Sequence, residues 1–176
     1  MKYFVIQVMT GEEAKFISLA KVNFKLDLPD FDAENSILWP RRKLTIRKNG
    51  INKETLAPIF PGYLFFEAAN LDPDIYWILR RTPEFVRFLK SNQNIEPIDG
   101  SDKKLLLHFL HFGEIVEKST VQFDENNRIK VIRGPMKGLE GQIVKVNRRK
   151  QRAKIRLSLY EESFTIDFGF EILEKI

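Results

Sequence analysis

The chain has 176 residues, of which 43% are hydrophobic and 30% charged, as in a folded globular protein rather than a disordered one. It contains no cysteine, which excludes disulfides, thiolate metal sites and cysteine nucleophiles. No apolar run approaches the roughly 20 residues that a membrane span needs, and the start becomes polar too early for a signal peptide, so we expect a cytoplasmic protein with no membrane partner.

The net charge of +5 is unevenly distributed along the chain. Residues 1–127 carry a net charge of −1, whereas residues 128–176 carry +6. This asymmetry indicates one module that binds a polyanion and a second module with a different partner. The alternative is a solvated basic surface without a partner.

The first elements predicted along the chain are a strand and a helix. Lys2–Val8 is rich in aromatic and β-branched residues, as a buried strand is. Thr10 and Glu13 then have the spacing of a capping box, and apolar residues follow at helical intervals. Residues 29–36 have the composition of a loop.

The middle of the chain predicts a second strand–helix–strand series. Residues 37–68 have the pattern of a strand, a long basic hairpin and another strand, with Asn49-Gly50 as the turn. Asp72 and Pro73 predict the start of a helix, and a short strand (84–90) follows it. The order strand–helix–strand–strand–helix–strand matches a ferredoxin-like arrangement, and a short helix (101–112) ends it.

A change of pattern marks a second module. Residues 113–127 are polar without periodicity, so we expect a linker there, or the arm that leads into the second module. From Arg128 onward, short strands separated by turns predict a small barrel, and its last strand is expected at 171–176. The expected protein is therefore α+β, with domains at 1–112 and 128–176.

The stretch VIRGPMKGLEGQIVKV (131–146) places three glycines within eight residues. A phosphate-binding loop needs such glycines before a helix, but here a β-branched strand follows them. The flanking apolar residues exclude a flexible linker. Tight turns within the barrel remain.

Two motifs resemble those of one known family. Residues 127–146, NRIKVIRGPMKGLEGQIVKV, resemble the KOW motif of the NusG transcription elongation factors. FPGYLFFE (60–67), the Asp-Pro-capped helix and RRTPEFVRFL (80–89) resemble the NusG N-terminal domain. The resemblance implies an NGN-type antiparallel sheet with helices, followed by an SH3-like β-barrel.

Within this family, residues 134–155 are more similar to the LoaP-type processive antiterminators than to housekeeping NusG. NusG usually carries Phe-Gly-Arg, which contacts ribosomal protein or the Rho factor, where this chain has Tyr160-Glu161-Glu162. The resemblance therefore implies a transcription elongation and antitermination factor. Two alternatives remain, namely a housekeeping NusG that couples polymerase to the ribosome or Rho, and a ribosomal RNA-binding protein with a KOW domain.

The resemblance also implies that the N-terminal domain docks on the clamp helices of RNA polymerase. Matched to the motif, Phe60, Tyr63 and Phe65 are the expected contacts, because aromatic anchors often dominate an interface. Strand alternation places Tyr63 and Phe65 on one face and Leu64 and Phe66 on the other. The alternative is that Tyr63 and Phe65 belong to the core.

Two further basic segments are candidates for DNA contact. The resemblance implies that Arg80, Arg81 and Thr82 lie near the non-template DNA strand, where arginine binds phosphate or stacks on a base. Basic residues in the last turn of a helix also satisfy its final carbonyls, which is the alternative. Arg41–Lys48 has five basic residues in eight. These residues either contact upstream DNA or lie on the surface of an exposed hairpin without a partner.

Residues 145–156 contain seven basic residues and no acidic one. Alternation should place Lys154 and Arg156 in solvent while Ile155 and Leu157 fill the barrel. A continuous basic edge suits a nucleic-acid backbone, and we expect nascent RNA as its partner. The expected RNA-binding residues are Lys145, Arg148, Arg149, Lys150, Arg152, Lys154 and Arg156.

Catalysis has little support in the sequence. His108 and His111 have the i, i+3 spacing of metal ligands on a helix, but no third ligand lies nearby, which favours a structural role. We expect a monomeric binding protein rather than an enzyme. No metal, cofactor or small-molecule substrate is expected.

Overall fold

The structure is a computed structural model that describes residues 1–174. The chain forms two compact units. Unit 1 consists of Met1–Trp39 and Phe60–Lys103, and unit 2 consists of Pro40–Ile59 together with the chain from Lys104 onward. These units divide the chain differently from the predicted domains, because residues 40–59 belong to unit 2, where Arg41 and Arg42 pair with Ile115 and Val116. No helix within residues 1–174 is long and apolar enough to cross a membrane.

Unit 1 contains four strands and three helices, which are β1 (Lys2–Val8), α1 (Glu13–Asp27), α2 (Ala33–Ser36), β2 (Ile37–Leu38), β5 (Tyr63–Ala68), α3 (Pro73–Arg81) and β6 (Phe85–Phe88). The strands form an antiparallel sheet with the order β2-β5-β1-β6. In this order β5 lies between β2 and β1, which confirms the predicted ferredoxin-like arrangement.

The core of unit 1 joins one face of this sheet to the helices. Phe66 of β5 stacks against Phe24 of α1 and against Phe31, with ring centroids 6.0 and 5.8 Å apart. Ile75, Ile78 and Leu79 lie on one face of α3 and are buried. The residues of this core include Phe4, Ile6, Val8, Phe16, Ala20, Phe24, Ile37, Leu64, Phe66, Ile75, Ile78, Leu79 and Phe88.

The two predicted helix starts in unit 1 have different outcomes. Helix α3 begins at Pro73 after Asp72, as predicted. The capping box predicted for Thr10 and Glu13 is wrong, because α1 begins at Glu13 and no side chain caps it. The buried Glu13 carboxylate instead accepts a hydrogen bond from the Gly62 amide (2.8 Å) and so fixes the turn before β5.

Unit 2 contains a long hairpin from the middle of the chain. Its strands are β3 (Arg41–Lys48) and β4 (Ile51–Pro58), and β3 also pairs in parallel with β7 (Ile115–Val116). Asn49 and Gly50 both have positive φ angles (52° and 79°), which confirms the predicted turn.

Unit 2 also contains five further strands, which are β8 (Ser119–Phe123), β9 (Ile129–Arg133), β10 (Ile143–Asn147), β11 (Arg152–Leu159) and β12 (Glu162–Ile172). They form one sheet in the order β10-β11-β12-β8-β9. Strand β8 lies within residues 113–127, where a linker was predicted, and its Ser119 and Val121 are completely buried. Of the last predicted strand (171–176), only Glu171 and Ile172 are in a strand, as the end of β12; residues 173 and 174 follow it without regular structure, and residues 175 and 176 lie outside the described part of the chain.

Two side chains, Phe109 and Arg42, hold other elements against this sheet. Phe109 of α4 (Gly100–Leu110) stacks on Phe168 of β12 with ring centroids 5.6 Å apart. The buried Arg42 of β3 donates from Nε to the Asp167 carbonyl (2.5 Å) and from Nη1 to the Pro58 carbonyl. The Arg42 guanidinium also lies 5.7 Å from the centre of the Phe168 ring. The hairpin β3–β4 is therefore tied to the barrel by a buried cation.

Candidate nucleic-acid and protein interfaces

The glycine-rich stretch after β9 forms a packed turn. Gly134 has a φ of +106°, and a Cβ atom there would lie only 2.6 Å from the Ser119 Cα. The Ser119 hydroxyl accepts a hydrogen bond from the Met136 amide (3.0 Å), and His108 Nε2 donates to the Pro135 carbonyl (2.6 Å). The stretch is therefore a structural turn, and His108 has a structural partner. Within residues 1–174 no group of three or more His, Asp or Glu side chains is placed to hold a metal ion.

The hairpin β10–β11 follows the alternation that its sequence predicted. Ala153, Ile155 and Leu157 are buried in the barrel, whereas Arg156 is exposed and Lys154 is half-buried. Lys145 is exposed on β10 and faces Lys154 across the strand pair. The outer side of the hairpin therefore carries Lys145 on β10 and Lys154 and Arg156 on β11.

Some basic residues of this hairpin contact other groups of the protein, whereas others are exposed without such a contact being their main feature. Arg148 lies 4.4 Å from the centre of the Phe123 ring and donates to Asn127 Oδ1 (3.0 Å). Arg152 is half-buried, and its Nη2 donates to the Thr45 carbonyl (2.7 Å). Arg149 and Lys150 are exposed at the turn. The structure thus keeps Arg149 and Lys150 accessible, while Arg148 and Arg152 also support the fold.

A cleft of about 760 Å³ opens between the hairpin β3–β4 and the β10–β11 turn. Five of its lining residues are basic and none is acidic. We call it the basic cleft; it is lined by Thr45, Ile46, Arg47, Asn52, Lys118, Asn147, Arg149, Lys150, Gln151, Arg152, Gly169 and Phe170. The sequence did not predict it, because its two walls are about 100 positions apart along the chain.

Lys118 holds the hairpin wall of the basic cleft in place. Its ammonium group donates to Thr45 Oγ1 (2.6 Å) and pairs with Glu54 (2.9 Å). The hydrogen bond from Lys118 lowers the pKa of the Glu54 carboxyl group below its usual value. Gly169 allows the walls to approach, because a Cβ there would lie 3.0 Å from Lys118 Cγ and 3.3 Å from the Lys43 carbonyl.

The predicted polymerase contacts in FPGYLFF are only partly accessible. Phe60 and Phe65 are buried, at 1% and 0% exposure, and pack edge to face with centroids 5.2 Å apart. A buried ring presents no docking surface, so the expectation that both rings are exposed contacts needs correction. Tyr63 is half-buried and pairs with Gln7 of β1, which accepts a hydrogen bond from exposed Arg87 (2.7 Å).

The three predicted DNA contacts at the end of α3 do not form one exposed group. Thr82 is buried, donates to the Ile78 carbonyl (2.7 Å) and accepts from Asn23 (3.1 Å), so it closes the helix end. Arg81 is exposed but paired with Asp27.

Arg80 has a different setting from its neighbours. Its guanidinium lies 5.4 Å from the centre of the Trp77 ring, and Trp77 is 58% exposed. The sequence analysis did not include Trp77 among the candidates. A tryptophan one helical turn before an arginine could have indicated this pair, because the two side chains lie on the same side of a helix.

Comparisons with known proteins agree with both halves of the fold. The family described as "Transcription termination factor nusG" matches residues 1–107, and the KOW motif matches residues 125–156. The protein named "Transcription termination/antitermination protein NusG" in Synechocystis sp. is 25% identical over 98% of this chain and 88% of its own length. The protein of the same name in Bacillus subtilis is 23% identical over 99% of this chain and 98% of its own.

A solved structure of NusG from Thermotoga maritima has the same fold. It superposes with a TM-score of 0.62 at 20% identity, over 96% of this chain and 93% of that one. The family match covers more than half of the sequence, in the part that contains the ferredoxin-like sheet, and the KOW match follows in the β-rich part. The chain belongs to the NusG family of transcription factors.

Proposed function

We propose that this chain is a transcription elongation and antitermination factor that binds RNA polymerase through its N-terminal domain and RNA through its KOW domain. The observation that carries the proposal is the basic edge of hairpin β10–β11, where seven basic residues lie on the strands and their turn, and Lys154 and Arg156 alternate with the buried Ala153, Ile155 and Leu157. Such an edge attracts a phosphate backbone through counterion release. The protein acts by binding, and no catalytic role is proposed.

We infer that it is a LoaP-type paralogue rather than a housekeeping NusG. The turn between β11 and β12 supports this inference, because Glu161 and Glu162 are exposed where a housekeeping NusG usually has glycine and arginine. Tyr160 and Glu161 both have positive φ angles (50° and 64°), which glycine adopts more easily. Housekeeping NusG is the second candidate, because the relatives carry that name.

For the polymerase contact we propose a surface centred on Tyr63, with the buried Phe60 and Phe65 beneath it as support. Tyr63 offers a ring with a polar end, which suits an interface residue. Gln7 and Arg87 add polar groups beside it. The clamp helices of the polymerase are the proposed partner.

For the non-template DNA strand we propose Arg80 as the contact, together with the exposed Trp77 ring. An arginine over an indole offers a charge for phosphate and a flat surface for a base. Arg81 and Thr82 support this edge through their bonds to Asp27 and Ile78.

Replacing Arg148, Arg149 and Lys150 with alanine is expected to weaken RNA binding by about tenfold at 0.1 M salt. If each residue contacts one phosphate of single-stranded RNA, the slope of log K against log salt should flatten by about 2. The measurement is a salt titration of the full chain with a labelled leader transcript from the operon it regulates.

A matched triple variant controls for the loss of charge. Lys2, Lys25 and Lys90 are exposed in unit 1, and their replacement with alanine removes the same charge far from the hairpin in sequence. This variant should bind RNA with the parent slope. Equal slopes and affinities for the parent and the hairpin variant would contradict the proposed RNA site.

A further inference from the structure

We propose that the basic cleft holds a single strand of RNA, and that Arg47 of hairpin β3–β4 contacts its backbone from the wall opposite Arg149 and Lys150. The inference rests on the proposed RNA-binding function and adds to it a second wall, supplied by a segment that lies outside the KOW motif match. The RNA site is then composite, formed by residues from the middle and from the end of the chain.

The charges of the basic cleft favour a polyanion. Arg47, Arg149 and Lys150 are exposed, and no acidic residue lines the cleft with them. Lys118 and Arg152, the other two basic lining residues, are bound to Thr45 and are therefore less available. The accessible positive charges therefore lie on both walls. A phosphate backbone between the walls could contact basic residues on both sides.

The walls of the basic cleft are held in position before any ligand arrives. Lys118 and Arg152 both hydrogen-bond Thr45, which joins β3 to the residue before β8 and to β11. The buried Arg42 ties β3 to β12 as well. A preformed site loses little conformational entropy on binding, which favours the cleft as a binding site over a loose basic tail.

The size of the basic cleft favours a single strand. Pockets of roughly 300–1,000 Å³ hold ligands of drug size, so a cleft of about 760 Å³ matches a short stretch of single strand and not a duplex. Of its lining residues only Phe170 is aromatic, and this ring is buried. Because base stacking therefore contributes little, we expect backbone recognition with weak sequence preference.

The test compares Arg47→Ala with Lys48→Ala in the full chain. Both residues are exposed and adjacent on β3, but only Arg47 lines the basic cleft. With a labelled unstructured oligouridylate, Arg47→Ala should weaken binding several-fold and flatten the salt slope by about 0.7, the value for one phosphate contact of a single strand. Lys48→Ala should change the affinity by less than twofold and leave the slope unchanged. Circular dichroism checks that both variants are folded.

The outcomes separate this inference from the function on which it rests. If Arg47→Ala and Lys48→Ala behave alike while the Arg148, Arg149 and Lys150 variant loses affinity, the hairpin wall takes no part and the inference is overturned alone. If the parent protein binds neither the oligouridylate nor a leader transcript, both proposals are overturned. If an acidic peptide binds the parent and its binding depends on Arg47 while RNA binding does not, the cleft is a protein site and the inference is also overturned.

Discussion

Replacing Phe66 with alanine is expected to lower the free energy of unfolding of unit 1 by about 3–5 kcal/mol. The ring is completely buried and stacks against both Phe24 and Phe31. It also lies opposite Phe4 of β1 and Ile37 of β2, so its removal leaves a cavity where three strands meet the helices. The surrounding rings cannot close such a cavity without leaving their own contacts.

Urea denaturation followed by tryptophan fluorescence measures this loss, because Trp39 and Trp77 both belong to unit 1. Val86→Ala is the control, since Val86 is exposed on β6 and its change should alter the free energy by less than about 0.5 kcal/mol. A loss below 1 kcal/mol for Phe66→Ala would show that this ring is not at the centre of the core.

Replacing Arg42 with alanine should destabilise unit 2 by about 2–4 kcal/mol. The substitution leaves the Pro58 and Asp167 carbonyls without their donor and opens a cavity beside the Phe168 ring. Burial lowers the pKa of the Arg42 guanidinium to about 10, so the group is still charged at neutral pH. Arg42→Met should cost less than alanine, because it fills most of the volume and loses only the hydrogen bonds.

Thermal denaturation followed by circular dichroism compares these variants with Lys48→Ala, which changes an exposed residue of the same strand. Lys48→Ala should melt like the parent. If Arg42→Ala also melts like the parent, the buried cation does not hold the hairpin to the barrel.

The parts of the fold that were predicted correctly are specified by residues next to each other in the sequence. Asn49-Gly50 requires two positive φ angles and so marks its own turn, and Asp72-Pro73 marks a helix start without reference to the rest of the chain. Strand β8 lacks such a signal. Its residues form a strand because they pair with β9 and, from about 50 positions away, with β12, and sequence periodicity does not report the pairing with β12.

The candidate sites also include features that a local sequence pattern predicts and features that depend on tertiary packing. Alternation predicted the exposed charges of hairpin β10–β11, because one face of that hairpin fills the barrel. The same rule did not predict the burial of Phe65, since both faces of β5 are buried and Val5 opposite Phe65 is buried as well. A period of two cannot distinguish a strand with one buried face from a strand with two. The basic cleft was beyond prediction because Arg47 and Arg149 meet only through tertiary packing.

We propose that the chain binds RNA polymerase and lets it pass terminators. Single-round transcription by the polymerase of the same cell tests this claim, across an intrinsic terminator placed behind the regulated leader. The full-length protein should raise read-through. Tyr63→Ala should reduce this effect strongly by weakening polymerase binding, since central aromatic anchors contribute about 2 kcal/mol or more. The Arg148, Arg149 and Lys150 variant should bind polymerase but lose the dependence on the leader. Unchanged read-through with the parent protein, at concentrations that saturate the polymerase, would contradict the claim.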